Sequence, residues 1–356
     1  MRRKQQFKQL VLAAALVGVP IGAAAQVTTE QGASIIVFPK VIADGTWDTV
    51  IQLANQTPNE RRAHCFYVNG VPGPNATPLW AQIDFDVWLT HRQPTHWVVS
   101  QGRLDDPTNA RCSADNRTCD GAGLDTGRVP PPPTGFRGEL LCVEEDHGGY
   151  PVPGNAFVGK ATLHHLVSGG VTTYNAIALH GFDTNNLDNT LCLGGGRSDA
   201  CPSGAEYASC PDTWILNHPA EGAEDSVAGS GASATTTLTV VPCTQNLQAQ
   251  VPQSVTLQFL IYNELEQRFS GSTTVTCWAD VPLAAVGPGA FDRLYVGTDY
   301  LQTRIRVVSP SHGVMVVAQT FRASGNGEPL VTSTAVNVHS EGNSEEPDLI
   351  TLPPMP

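Results

Sequence analysis

From Ala33 onward the chain is a succession of short apolar runs rich in Val, Ile, Thr and aromatics, each closed by Gly, Pro, Asn or Asp. No long stretch repeats its apolar residues at helical spacing, so the pattern predicts half-buried strands throughout. Ala33 to Val41 is the first run, closed by Asp44-Gly45. In Asp48 to Ala54, side chains pointing alternately to opposite faces put Val50, Gln52 and Ala54 on one side and Thr49, Ile51 and Leu53 on the other. Ala81 to Leu89 divides in the same way, with Ile83, Phe85 and Val87 opposite Gln82, Asp84, Asp86 and Trp88. Further strands are predicted at Arg62 to Val68, His96 to Ser100, Arg137 to Val143, Asn155 to Leu166 and Val171 to Leu179, and a second strong set runs from Ser254 to Val338.

Two stretches break the pattern. Gly102 to Gly135 is polar and holds Pro130 to Pro133; Asp183 to Pro211 is rich in Gly, Asn and Cys. Neither buries enough apolar area to offset its ordering entropy, so both read as long loops. Trp214 to Asn217 and Thr235 to Val241 flank the Gly/Ser/Ala stretch Glu221 to Ala234 and are expected to form a hairpin. An internal echo joins Asp48 to Phe66 with Ser254 to Trp278. Each reads as a hairpin whose second strand ends in Cys and an aromatic, Cys65-Phe66 and Cys277-Trp278. Such a repeat predicts two related sandwich domains.

The N-terminus changes the compartment. Arg2, Arg3, Lys4 and Lys8 precede an apolar run from Leu10 to Ile21, and Ala23-Ala24-Ala25 follows. This is the layout of a cleavable secretory leader, with cleavage expected after Ala25. The run is too short to span a bilayer, and no later stretch is apolar for long enough. Loss of the leader's four cations takes the formal charge from −13 to −17 and leaves Lys40 and Lys160 as the remaining lysines. With no basic stripe, nucleic acid and anionic membrane surfaces are poor partners, and membrane insertion is not expected.

All nine cysteines lie beyond the leader, where an oxidising compartment favours pairing, and nine leaves at least one thiol over. The expected bridges are Cys65 with Cys142, clamping facing strands, Cys112 with Cys119, pinning a loop tip, and Cys243 with Cys277, with Cys210 to Cys243 as the alternative. Cys192, Cys201 and Cys210, nine residues apart, allow several pairings and are expected to include the odd thiol.

The segments VFPKVIADGTWDTVIQLAN (Val37 to Asn55), VTLQFLIYNELEQRFSGSTTVTCW (Val255 to Trp278) and GFRGELLCV (Gly135 to Val143) resemble those of uncharacterised secreted proteins of Gram-negative environmental bacteria. The resemblance implies an immunoglobulin-like sandwich at a cell surface or in the periplasm and carries over no catalytic residue. The expected fold is thus all-β, two immunoglobulin-like β-sandwich domains with long disulfide-pinned loops. Residues 1–25 form the leader, 26–190 the first domain, 191–340 the second, and 341–356 a disordered acidic, Pro-rich tail.

Catalytic motifs are missing. There is no G-x-S-x-G, HExxH, Walker or dinucleotide pattern, and His147-Gly148-Gly149 alone reads as a turn. His164 and His165 point to opposite faces of a strand, and with His180 and His218 they are more simply scattered histidines than a metal site. Calcium is the one cofactor left open, through Asp183, Asn185, Asn186, Asp188 and Asn189, although Leu187 stands where an oxygen ligand belongs. Glu264, Glu266 and Arg268 read as turn residues, and Trp80, Trp88, Trp97 and Trp214 as volume fillers before sugar platforms. The reading that follows is a secreted or cell-surface interaction module with a protein or glycan partner at the cell envelope. An extracellular carbohydrate-binding protein or hydrolase is the alternative.

Overall fold

Nine consecutive buried residues, Ile35–Ala43, cannot form a strand that shows one face to water. An unbroken run of buried positions, apolar except for Lys40, marks a strand covered on both sides, and that strand, β1, organises the molecule. The computed structural model describes residues 27–72, 80–104, 125–182, 188–225, 231–287, 289–310, 312–323 and 332–354. The leader, Cys112 and Cys119 with their expected bridge, and Asp183, Asn185 and Asn186 lie outside the described residues.

Five sheets form. Besides β1 (Ile35–Ala43), the chain supplies β2 (Trp47–Asn55), β3 (Arg61–Asn69), β4 (Gln82–Leu89), β5 (Pro94–Val98), β6 (Phe136–Glu145), β7 (Phe157–His165), β8 (Val171–Asn175) and β9 (Ile177–Leu179). These make a five-stranded sheet ordered β4-β3-β6-β1-β9 and a four-stranded sheet ordered β5-β2-β7-β8. After β10 (Thr190–Leu193) come β11 (Thr213–Pro219), β12 (Ser233–Pro242), β13 (Gln245–Asn246), β14 (Ser254–Asn263), β15 (Arg268–Thr276) and β16 (Ala279–Pro282). A short α-helix, α1 (Arg293–Val296), precedes β17 (Tyr300–Ser309), β18 (Val314–Ala323), β19 (Thr332–Asn337), β20 (His339–Gly342) and β21 (Asp348–Thr351). Their sheets are β15-β14-β17-β11-β20, β16-β12-β18-β19 and the small β10-β21-β13. Among the described strands, the pairings are antiparallel except β13 with β21.

This overturns the expectation of two immunoglobulin-like β-sandwich domains. The sheets are five, and the one holding β1 is an internal layer. Ile36, Phe38, Cys65, Tyr67, Leu140 and Cys142 on one of its faces pack with Ile51, Leu53, Trp97 and Phe157. Ile35, Val37, Phe66, Val68, Leu141 and Val143 on the other belong to a cluster that continues through Leu193, Tyr207, Val241, Trp278 and Ile350. Each such side chain contributes about 1.5–3 kcal/mol when fully buried, so both faces add to the stability of the fold.

Other expectations are corrected in the same way. β11 and β12 do not form a hairpin: β11 pairs with β17 and β20, whereas β12 pairs with β16 and β18. Of the two echoing segments, β14 and β15 make a hairpin, but β2 and β3 lie in different sheets. The tail is ordered as far as it is described. Asp348 is fully buried and accepts from the Gly313 N–H at 2.9 Å, Ser344 Oγ at 2.9 Å and Thr244 Oγ1 at 2.8 Å.

The disulfides fasten this arrangement. Cys65 is bonded to Cys142, its direct neighbour across β3 and β6, so the bridge lies within one sheet and does not clamp facing sheets. Cys243 is bonded to Cys210 and not to Cys277. Cys192 is bonded to Cys201. The odd thiol therefore falls outside the Cys192 to Cys210 region: Cys277 is free and buried, and that burial raises its pKa well above the usual thiol range.

Cys277 sits at φ 65°, and its left-handed turn delivers Trp278 into the first half, where the indole Nε1 donates to the Pro39 carbonyl at 2.6 Å. A Cβ on Gly70 would lie 2.5 Å from the indole Cγ, so only glycine admits the ring there. Nearby, Lys40 Nζ meets both oxygens of Asp280 at 2.7 and 2.8 Å with the lysine 1% exposed.

Glu139 lies in the same internal face. Burial raises its carboxyl to about 8, against the hydrogen bond from Gln245. Glu139 Oε2 and Gln245 Oε1 are both buried acceptors without a donor, and a proton on Glu139 satisfies one of them. The folded chain therefore keeps this proton up to about 8, whereas the unfolded chain releases it near 4.5. Between these limits the native state binds the extra proton, so this contribution to stability falls as pH rises, by at most about 1.4 kcal/mol per pH unit. Glu139→Gln is expected to remove that slope and to be more stable than wild type at pH 8 by about 2 kcal/mol. Urea unfolding at pH 6, 7 and 8 measures it; equal slopes in the two proteins would show that Glu139 is not the group.

Candidate functional site

On the sheet β5-β2-β7-β8, alternation sends Ile51, Leu53, Trp97, Phe157, Ala161 and Leu163 inward and leaves an outer face to solvent. Gly159 is the inward exception, because a Cβ there would meet the Phe38 ring at 2.3 Å. Strand register then decides what the outer face presents. Gln52 pairs with His96 on one side and with Lys160 on the other, and Lys160 pairs with Asn175. His96, Gln52, Lys160 and Asn175 thus form one row across all four strands, and all four are exposed. One step along, Pro94, Ala54 and Val158 form a small apolar row.

These two rows line a groove of ≈ 500 Å³. Thr29 and Glu30 stand at its side. Their segment is held by the reciprocal bonds Thr28 N to Ala178 O (3.1 Å) and Ala178 N to Thr28 O (2.8 Å), followed by Ala33 N to Phe157 O at 3.0 Å. Among the described residues, the side chains of Gln52, His96 and Lys160 have no hydrogen-bond or ion-pair partner. The groove therefore offers donors and acceptors that the fold does not consume.

The richest titratable cluster behaves in the opposite way. Arg62 donates to both oxygens of Asp86 at 2.9 and 2.8 Å and lies 3.2 Å from Glu145. His64 places Nδ1 2.9 Å from Glu145 and Nε2 3.2 Å from Asp84. Burial alone would lower the His64 pKa, but Glu145, Asp86 and Asp84 together raise it. Glu144, raised to about 7 by burial, accepts from the Ala156 N–H at 3.0 Å and Ser34 Oγ at 3.2 Å and faces Arg61 at 3.0 Å. His147 stacks on Trp88 with ring centroids 5.4 Å apart, and the Arg62 guanidinium lies 5.7 Å from the same indole. The adjoining cleft of ≈ 280 Å³ is walled by groups that already hold one another. His64, Asp86 and Glu145 converge closely enough to hold a metal ion, but Arg62 already supplies positive charge to both carboxylates.

The residues singled out in the sequence are scattered. Trp80, Trp88, Trp97 and Trp214 are all buried. His165 Nδ1 bonds Ser168 Oγ at 2.8 Å, and Asn155 Nδ2 approaches His180 at 3.2 Å. His218 is buried, its pKa lowered to about 4, with Nε2 2.9 Å from Thr303 Oγ1 and Nδ1 2.8 Å from the Pro219 carbonyl. No metal group forms from these histidines among the described residues. Of the calcium candidates described, Asp188 accepts from the Thr190 N–H at 2.8 Å, and Asn189 donates to the Leu352 carbonyl at 2.7 Å. The first is a local staple, and the second ties this segment to the C-terminal end of the chain. Glu264, Glu266 and Arg268 are exposed around the β14–β15 turn, where Asn263 Oδ1 accepts from the N–H groups of Leu265 and Gln267. His147 and Gly148 lie in a turn where Asp146 Oδ1 accepts from the Gly148 N–H at 2.7 Å. The row itself went unrecognised: alternation placed Gln52 with Val50 and Ala54, but nothing local indicates which residues stand beside it on neighbouring strands.

No protein-family model matches the chain, and no curated protein matches it. Among solved structures, that of Thermotoga maritima 1070 aligns at 10% identity over 38% of this chain and 98% of its own, with a TM-score of 0.26. The apo form of Pleurotus ostreatus lectin aligns at 12% identity over 87% of this chain and 76% of its own, with a TM-score of 0.17. At these scores neither carries an argument about fold or ligand. The three disulfides among the described residues are consistent with an extracellular protein. No helix among the described residues is long and apolar enough to cross a membrane.

Proposed function

We propose that this is an exported, non-enzymatic recognition module that uses the outer face of β5-β2-β7-β8 to hold a component of the cell envelope. The observation that carries the reading is the contrast between the two polar sites. In the groove, Gln52, His96 and Lys160 are uncommitted, whereas the Arg62 and His64 network spends its charges internally. A surface built for binding keeps its hydrogen-bonding groups free until the ligand arrives. Catalysis asks for a nucleophile beside a base, or an acid–base pair aimed at one reacting atom. The groove offers one histidine and one lysine on strands flanking Gln52, and neither is joined to a carboxylate.

The test is co-sedimentation of the mature protein with fractionated envelope material, run beside a broad hydrolase screen. Saturable association without turnover is expected. Turnover that scales with enzyme purity, or failure to associate with every fraction, would remove the proposal.

A further inference from the structure

We infer that the row His96, Gln52, Lys160 and Asn175 reads a neutral, linear oligosaccharide laid across the strands; the inference rests on the recognition role proposed above. Three features converge on that ligand. The first is spacing. Adjacent strands lie about 4.8 Å apart, so the row repeats at that interval and spans about 14 Å. An extended chain of pyranose rings advances by about 5 Å per ring, so about three successive rings come into step with successive strands at this spacing.

The second feature is chemistry. An amide presents a donor and an acceptor side by side, the pattern that matches a pair of neighbouring sugar hydroxyls. Gln52 and Asn175 are amides, and Lys160 between them is a donor only. The row Pro94, Ala54 and Val158 runs parallel to the polar one about 7 Å away, two residues along each strand. It gives the C–H faces of the rings an apolar rest without a bulky side chain to block them.

Charge is the third. The groove holds Lys160 and Glu30, which balance, while the chain carries a formal −13. A polyanion meets the repulsion of the whole molecule, and a polycation meets the Lys160 ammonium in the middle of the row. A neutral polyhydroxylated chain meets neither obstacle. Because no Trp, Tyr or Phe is among the described residues that line the groove, affinity is expected to be modest, with a dissociation constant of about 0.1 mM.

Titration calorimetry of the mature protein with cellohexaose, xylohexaose and N-acetylchitohexaose, against oligogalacturonate as the anionic counterpart, tests the inference. At least one neutral hexaose is expected to bind saturably and more tightly than the anion. Gln52→Ala should weaken it about tenfold, and Asn175→Ala should weaken it in the same direction. Gln302→Ala, on the exposed face of β17 in another sheet, should leave it unchanged. Exposed positions make these variants safe for folding, and an unchanged melting curve confirms it in each. No saturable binding to any neutral hexaose, tighter binding of the anion, or binding indifferent to Gln52→Ala and Asn175→Ala would each overturn the inference. If envelope material still binds in a Gln52-dependent way while no hexaose does, the recognition role stands and the saccharide assignment falls.

Discussion

Asp280→Ala is expected to lower the free energy of unfolding by about 3–5 kcal/mol, because it strands the buried ammonium of Lys40 without a counter-ion. Lys40 is 1% exposed and reaches Asp280 from a sheet that belongs to the other half of the chain. Thr239 Oγ1 donates to the same carboxylate at 2.8 Å. Burial would raise the Asp280 pKa, but Lys40 and Thr239 together hold it below the usual carboxylate range. A depressed pKa means that the stabilisation is in place above the unfolded carboxylate's range and is lost as pH falls through the native value. Urea unfolding at pH 7 gives the number. The double variant Lys40→Met with Asp280→Leu should recover most of the loss, since a buried ion pair replaced on both sides by apolar groups costs little. A loss below about 1 kcal/mol for Asp280→Ala would mean that water reaches the pair and that the halves are not closed over it.

Trp278→Ala should cost a similar amount, about 3–5 kcal/mol. The indole is 5% exposed, lies flat against the backbone at Gly70 and donates to the Pro39 carbonyl. Truncation therefore loses apolar burial and leaves a buried carbonyl without its donor. The site cannot collapse easily, because Pro39 lies within β1 and Gly70 directly follows β3, where its N–H bonds the Arg137 carbonyl at 2.9 Å. Trp278→Phe keeps most of the volume and loses the donor, so it should fall between wild type and alanine. If phenylalanine and alanine destabilise equally, the hydrogen bond and not the packing carries the contact. Gly70→Ala approaches the same contact from the opposite wall and should also destabilise.

Much of the strand content was legible from period-two alternation, as in β2 and β4, because that signal is local. Sheet membership was not. The continuous apolar run of β1 did carry the information that both its faces are covered, but the run does not say by what. The covering comes from residues more than a hundred positions away, Trp278 and Ile350 among them. The same gap explains the cysteines: Cys210 to Cys243 stood only as the alternative to Cys243 with Cys277, and sequence alone does not tell which partner the fold brings to Cys243. Cys277 looked like a strand cysteine in need of a partner, yet its role is to turn the chain so that Trp278 faces the first half. The acidic tail read as disordered by composition, and composition cannot reveal that Asp348 finds two hydrogen-bond donors in the body of the protein, Gly313 and Thr244, besides Ser344 of the tail itself. The candidate site shares this limit. Gln52, Lys160, His96 and Asn175 come from four strands, and only register sets them in line.

That line is where the account commits itself on function. Hydrogen–deuterium exchange of the mature protein, with and without saturating envelope material, tests it most directly. Slowed exchange at Trp47–Asn55, Pro94–Val98, Phe157–His165 and Val171–Asn175 is the expected result. Protection confined to the outer face of β14, β15 and β17, with those four strands unaffected, would place recognition elsewhere and contradict the account.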